Sequence, residues 1–337
     1  MNRPASKKAF LLIKVVLAGA ALAFLIGMVD GQAVLAALWS ASPLWIGLAL
    51  VLLPVNLLLE AWKWHTLLDR TLPETPRFRE TFGSMMSGYA LGLFTPARVG
   101  DYAGRAFYLR HHDRLEIAAL TFADRMIALA AYLTAGWLCL LYFLLIHLRL
   151  PGAVWQMVAV LGLLGIGAAL YIVVHPRMAY VVLMRIIPGE RLRRRLTFLS
   201  RLRPHDTDLL LAQSAVRYIV FSAQFVCLVY AFGGDLGLVD AFAGVGLVFF
   251  AQTVLPSVTL ADLGIREGAA VYFLGAFGVA HAAAFDAAFM LFTINLLLPA
   301  LVGTPFLLKL RIARDQASTV TQPSDLAGTE RLSGGEA

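Results

Sequence analysis

Leu93-Phe94-Thr95-Pro96-Ala97-Arg98-Val99-Gly100-Asp101-Tyr102-Ala103-Gly104-Arg105 decides how this chain folds. An apolar run meets a proline, and glycines and fixed charges follow at once. The run before it, 81–94, makes only about 21 Å of helix at 1.5 Å per residue. That is short of the roughly 30 Å hydrocarbon core of a bilayer. Pro96 breaks the run, and a second helix is expected from Ala97 to about Leu109. Leu255-Pro256-Ser257-Val258-Thr259-Leu260-Ala261-Asp262-Leu263-Gly264-Ile265-Arg266-Glu267 repeats the pattern. Residues 240–255 are broken at Pro256, and a second helix is expected from about Asp262 to Gly278. Backbone breaks at membrane depth are tolerated only where protein or water surrounds them. Both stretches therefore read as re-entrant broken-helix hairpins.

The rest of the chain supplies the membrane setting. A hydrophobic fraction of 60%, a charged fraction of 15% and a mean hydropathy of +0.76 exclude an ordinary soluble domain. About six full spans are expected, at 10–29, 43–62, 116–146, 153–174, 207–231 and 286–308. The fold class is an all-α polytopic membrane protein, with a transmembrane domain over 1–314 and a polar, disordered cytoplasmic tail over 315–337. The apolar core at Phe10–Val29 follows Arg3, Lys7 and Lys8 and reads as the first span rather than a signal peptide. The net charge of +7 belongs to cytoplasmic loops and does not indicate nucleic acid. Cys139 and Cys227 lie inside apolar helices and read as small apolar side chains.

Loop charge fixes the expected orientation. Lys63, Arg70, Arg77, Arg79, Arg110, Arg114, the basic segment Arg177–Arg203 and the end with Lys309, Arg311 and Arg314 share one side. The opposite loops hold Asp30, Arg149, Asp235, Asp240 and Asp286. The positive-inside rule is met when both termini are cytoplasmic and each hairpin enters and leaves on one side. The order span, span, hairpin, span then occurs twice, over 10–146 and 153–308, with opposite orientation. That is the layout of an inverted-topology repeat. The basic segment 177–203, interleaved with apolar residues, suits the anionic inner leaflet. The membrane implied is a bacterial-type cytoplasmic (inner) membrane.

A charge at the bilayer centre costs about 2.5–3.5 kcal/mol on insertion scales, so intramembrane charges must pair or line a wet cavity. Arg98, Asp101 and Arg105 stand at i, i+3 and i+7 on one helix face. Asp101 can pair with either arginine, which leaves one positive charge over. Thr95 is the expected N-cap, Pro96 suits the first turn, and the helix start adds free N–H groups. Together these make an anion site, or, on the plainer reading, a structural ion ladder. Gly100 and Gly104 permit close approach by a backbone or a head group. Asp124 and Arg125 point about 100° apart and each needs a partner on another element. Asp262 with Arg266, an i, i+4 pair, and Glu267 complete an inventory that balances and contains no lysine. Arginine suits bidentate grip of phosphate or carboxylate. Facing hairpins would bring Arg98 and Arg105 near Asp262 and Glu267.

Weaker signals have plainer readings. His205-Asp206-Thr207-Asp208 has an Asp-x-Asp spacing but reads as a helix start. Gly88-x-x-x-Gly92 and Gly162-Leu163-Leu164-Gly165 read as packing faces, and Trp62, Trp64, Trp137 and Trp155 as interfacial anchors. The sequence holds no Gly-x-Ser-x-Gly, Walker A or His-Glu-x-x-His motif, and it points to no catalytic residue, metal site or cofactor.

At these residues the chain resembles the lysylphosphatidylglycerol synthase transmembrane (flippase-like) family. Pro96-x-Arg98-x-Gly100-Asp101-x-x-x-Arg105, Asp124-Arg125 and Gly264-Ile265-Arg266-Glu267 carry the resemblance, which covers roughly 10–310. Asp101 and Asp124 stand where the family has Glu, Ala261-Asp262 replaces a glycine-rich stretch, and the aminoacyl-transfer domain of full synthases is absent from this sequence. The resemblance implies translocation of an anionic lipid, a phospholipid or one linked to polyprenyl phosphate, and not lipid aminoacylation. On this reading Arg98, Arg105 and Arg266 hold the head group. Asp101, Asp124, Arg125, Asp262 and Glu267 are charge partners, and Pro96, Gly100, Pro256 and Gly264 break the hairpins. The alternative is a non-transporting scaffold or regulator that binds lipid or partners a membrane lipid-modifying enzyme or glycosyltransferase. Oligomeric state has no signature in the sequence.

Overall fold

The computed structural model describes Trp39 and residues 41–93, 95, 98–148, 152–175, 201–255 and 264–307. Among the described residues there are nine helices and no strand. In chain order they are α1 (Pro43–Thr71), α2 (Phe78–Leu93), α3 (Val99–Tyr108), α4 (Arg114–Phe143), α5 (Gly152–Val174), α6 (Pro204–Ala231), α7 (Leu238–Val254), α8 (Ile265–Ala276) and α9 (His281–Phe292). A π-helical turn extends α4 over Leu144–Leu148. Another, Thr293–Leu297, lies inside the last helix, which continues to Leu307. Among the described residues five helices are long and apolar enough to cross a membrane: α1, α4, α5, α6 and α9 with its extension. The expected span at 10–29, the prolines Pro96 and Pro256, Asp262, the segment 177–200 and the tail lie outside the described residues.

Local chemistry sets the helix ends. α1 begins with Pro43 in its first turn and stops at Leu72, which precedes Pro73 and is extended at ψ 145°. Asp113 Oδ1 accepts from the N–H groups of Leu115 and Glu116 at the start of α4. Asp206, in the third helical position of α6, accepts the Arg203 N–H at 3.0 Å, so the Asp-x-Asp stretch is a helix start.

α2 and α7, of 16 and 17 residues, reach about 24–26 Å and each is followed by a shorter helix packed against it. The α2–α3 seam is made of backbone. A Cβ on Gly104 would strike the Ser87 carbonyl and lie 2.6 Å from the Gly88 nitrogen, and one on Gly100 would strike the Leu91 carbonyl. Both short helices start through a positive φ, 54° at Arg98 and 96° at Gly264, with an acid three residues on, Asp101 and Glu267. The order α1, α2–α3, α4 recurs as α6, α7–α8, α9. α1 packs along α6, and α4 along α7.

Two apolar clusters hold the bundle. The first gathers Trp64, Leu67, Met85, Met86, Ile117 and Leu120 with Phe292 and Leu296 of the last helix. The second gathers Phe225, Val245, Val248, Phe249, Leu274 and Leu291 with Ala49 of α1. α5 is different: Ala159 is its one buried residue, and its contact with α4 centres on Gly162 against Trp137. Its sequence is apolar all round, as suits a helix facing lipid.

Candidate functional site

Glu60 is the hub of the charged interior. It is fully buried on α1. Its Oε1 accepts from Arg105 Nη2 at 3.0 Å and lies 3.5 Å from Arg125 Nη2. Its Oε2 lies 2.8 Å from Arg217 Nη2 and accepts from the Tyr89 hydroxyl at 2.5 Å. One carboxylate thus ties α2, α3, α4 and α6 to α1. Arg105 is also fully buried. It donates from Nε to Asp101 at 3.0 Å, lies 3.6 Å from Asp124, and stacks 4.8 Å from the centroid of the Trp64 ring. Arg125 pairs with Asp101. Asp124 turns the other way, to Lys63 Nζ at 2.9 Å. The network continues from Arg217 Nε to Asn56 at 3.0 Å, and from the Asn56 amide to Asn295 in the π-helical turn, also at 3.0 Å. A π-turn shifts the residues after it around the helix; here it accompanies an inward asparagine.

In front of this network lies a cavity of about 330 Å³. Arg98, Arg125, Arg217 and Arg266 line it, with Asn56, Asn295, Gln252, Thr253, Tyr89 and Tyr132. Its apolar wall takes Tyr89, Phe292 and Leu296 from the first cluster and Phe249 and Phe221 from the second. Among the described residues no carboxylate lines it. Arg98 has no carboxylate within salt-bridge distance among the described residues; its guanidinium sits 5.1 Å from the Tyr89 ring centroid, and its Nε and Nη2 have no hydrogen-bond partner. Arg266, 6% exposed, pairs with Glu267 at 3.2 Å and keeps Nε unpartnered. Glu267 also caps its own helix, accepting from Gly264 N at 2.7 Å.

The geometry revises several readings from the sequence. Arg98, Arg125 and Arg266 meet in one cavity, but Arg105 does not reach it: three buried carboxylate contacts, to Glu60, Asp101 and Asp124, hold it behind the wall. Arg105 and Glu267 form no ion pair; each is engaged on its own side. Thr95 is not the residue preceding α3. Arg98 is, and Thr95 Oγ1 instead accepts the Gly100 N–H at 2.7 Å from within the turn. The glycines of α3 are approached by the α2 backbone, because only a missing Cβ lets the two helices touch. The inventory does contain a lysine. α1 continues well past residue 62, so Lys63 is a buried partner of Asp124, 1% exposed, and not a loop charge. Trp64 is likewise no interfacial anchor: it is fully buried, donates to Ser84 at 3.0 Å and supports Arg105.

Sequence reasoning missed Asn56, Glu60, Lys63, Arg217 and Asn295. A signal existed for the first three. They fall at i, i+4 and i+7 in an otherwise apolar run, one face of one helix. Gln213, Arg217 and Gln224 likewise share a face of α6, and Gln224 donates to the Ala49 carbonyl of α1 at 2.8 Å.

A bundle of long apolar helices with a buried ionic network behind an arginine-lined cavity defines a multi-pass membrane protein. The chain belongs to the family described as lysylphosphatidylglycerol synthase TM region, whose pattern matches residues 11–303. No curated protein matches it. Among the described residues no group of three or more His, Cys, Asp or Glu could hold a metal ion.

Proposed function

We propose that this protein translocates an anionic lipid across the cytoplasmic membrane, with the head group in the arginine-lined cavity and the hydrocarbon chains in the bilayer. One observation carries the reading: four arginines line a single cavity while the carboxylates of the network stand behind them. A purely structural ion ladder would close on itself. Arg98 pairs with no carboxylate among the described residues, and its Nε and Nη2 have no hydrogen-bond partner there. Arg98 and Arg266 are direct ligands, Arg125 and Arg217 are ligands tethered to Asp101 and Glu60, and Arg105 is a positioning residue. The family's description names a lipid-handling region, which is consistent with this role. The repeated order of long helix, broken pair and long helix, with positive-φ starts at Arg98 and Gly264, supports an inverted repeat whose two re-entrant hairpins flank the head group. Both termini are then cytoplasmic.

The test is a leaflet-access assay in proteoliposomes carrying labelled anionic lipids. Arg98→Gln and Arg266→Gln should each slow translocation about ten- to a hundredfold, the equivalent of losing a charge-assisted hydrogen bond of about 1.5–3 kcal/mol. Arg→Lys should rescue poorly, because one ammonium does not reproduce the planar fork. Wild-type rates in both glutamine variants would overturn the proposal.

A further inference from the structure

The cavity's charge balance narrows the class of lipid, given the reading of the site as an anionic-lipid site. Six basic side chains (Lys63, Arg98, Arg105, Arg125, Arg217, Arg266) stand with four carboxylates (Glu60, Asp101, Asp124, Glu267), so the described cluster keeps an excess of two positive charges. The carboxylates are 0–4% exposed and spent on arginine and lysine partners. None lines the cavity among the described residues, so an ammonium entering it would meet four guanidinium groups and none of these carboxylates.

We infer that the cargo is a lipid whose head group bears two or more negative charges and no amine: a phosphate monoester or a diphosphate, not an amine-bearing phosphodiester. A phosphate monoester carries about 1.5–2 negative charges near pH 7, where a diester carries one. Two charges match the excess, and a monoester's three free oxygens offer more acceptors than a diester's two to the guanidinium groups of Arg98 and Arg266 that line the cavity. A diester bearing an ammonium brings no net negative charge and places a cation among four others. Size points the same way. At about 330 Å³ the cavity lies at the small end of the roughly 300–1,000 Å³ typical of ligand sites. It has room for phosphate and a small substituent, and any large glycan must extend outside it.

The experiment uses the full chain in phosphatidylcholine nanodiscs with a fluorescent phosphatidic acid as reporter. The competitors are unlabelled phosphatidic acid, farnesyl diphosphate, phosphatidylglycerol, lysylphosphatidylglycerol and inorganic diphosphate. Phosphatidic acid and farnesyl diphosphate should compete at least tenfold better than phosphatidylglycerol, with lysylphosphatidylglycerol weakest. The preference should vanish in Arg266→Gln and in Arg98→Gln, each checked for a monodisperse folded peak. Equal competition by phosphatidylglycerol or its lysyl form, still dependent on Arg98 and Arg266, would overturn the charge rule and leave the anionic-lipid reading standing. Competition unaffected by either arginine would remove both. Inorganic diphosphate matching farnesyl diphosphate would show that the site takes a free anion and would overturn the lipid assignment.

Discussion

Arg98 shows what a single residue gives up to stand where it does. Its φ of 54° is the only positive value at a non-glycine position among the described residues. A side chain in that region costs about 1–2 kcal/mol, and such strain gathers at functional sites. Arg98→Gly removes both the strain and the guanidinium. Thermal unfolding in detergent should then show an unchanged or higher Tm, alongside lost lipid competition. A clear drop in Tm would mark Arg98 as structural. At this scale the sequence was partly legible. Arg98, Arg125 and Arg266 stand out beside helix breaks or paired charges, and all three reach the cavity. Glu60, Lys63 and Arg217 sit in long helices with no break near them. The shared face of Asn56, Glu60 and Lys63 is a local pattern, but that this face meets α6 is a tertiary fact.

The broken helices are the elements that present this chemistry. The helix pairs α2–α3 and α7–α8 fall where run length and proline position in the sequence put them. The exact start of α3 was not legible: Thr95 is the expected N-cap, but Arg98, at φ 54°, is the residue that precedes the helix. What fixes α3 against α2 is the absence of side chains. Gly104→Ala must push a methyl into the Ser87 carbonyl and the Gly88 nitrogen, neither of which can rotate away. Overpacking of this kind costs about 1–3 kcal/mol, so folded yield and Tm should fall. Gly165→Ala on α5 is the control: a Cβ there meets nothing within 4 Å, and α5 should keep wild-type stability. Equal behaviour of the two variants would mean that the α2–α3 seam is not tight in the membrane.

For the molecule as a whole, the membrane class and the five described spans follow from hydropathy and length. The pairing of α1 with α6 and of α4 with α7 does not, because every apolar helix offers a similar surface to lipid and to its neighbours. Orientation rests on loop charge and has a direct check. Single cysteines introduced at Asp235 and Gly278, in a background without Cys139 and Cys227, should react with an impermeant thiol reagent from outside intact cells. A cysteine at Glu74, between α1 and α2, should react only after the membrane is opened. Reaction of the first two sites only from the cytoplasmic side would invert the proposed topology.

The placement of Glu60 and Lys63 on one early helix also bears on how the chain is made. When α1 leaves the ribosome, none of the described partners of Glu60 and Lys63 exists. Arg105 arrives 45 residues after Glu60, and Asp124 comes 61 residues after Lys63. Three residues apart on one helix face, the glutamate and the lysine can neutralise each other in the meantime. Assembly then requires a divorce: Lys63 leaves for Asp124, and Glu60 for the arginines of α3, α4 and, last of all, α6. A nascent chain halted before Arg217 would hold Glu60 one partner short. Quality-control proteases of the membrane would meet, in such a fragment, a buried acid still waiting for its last arginine.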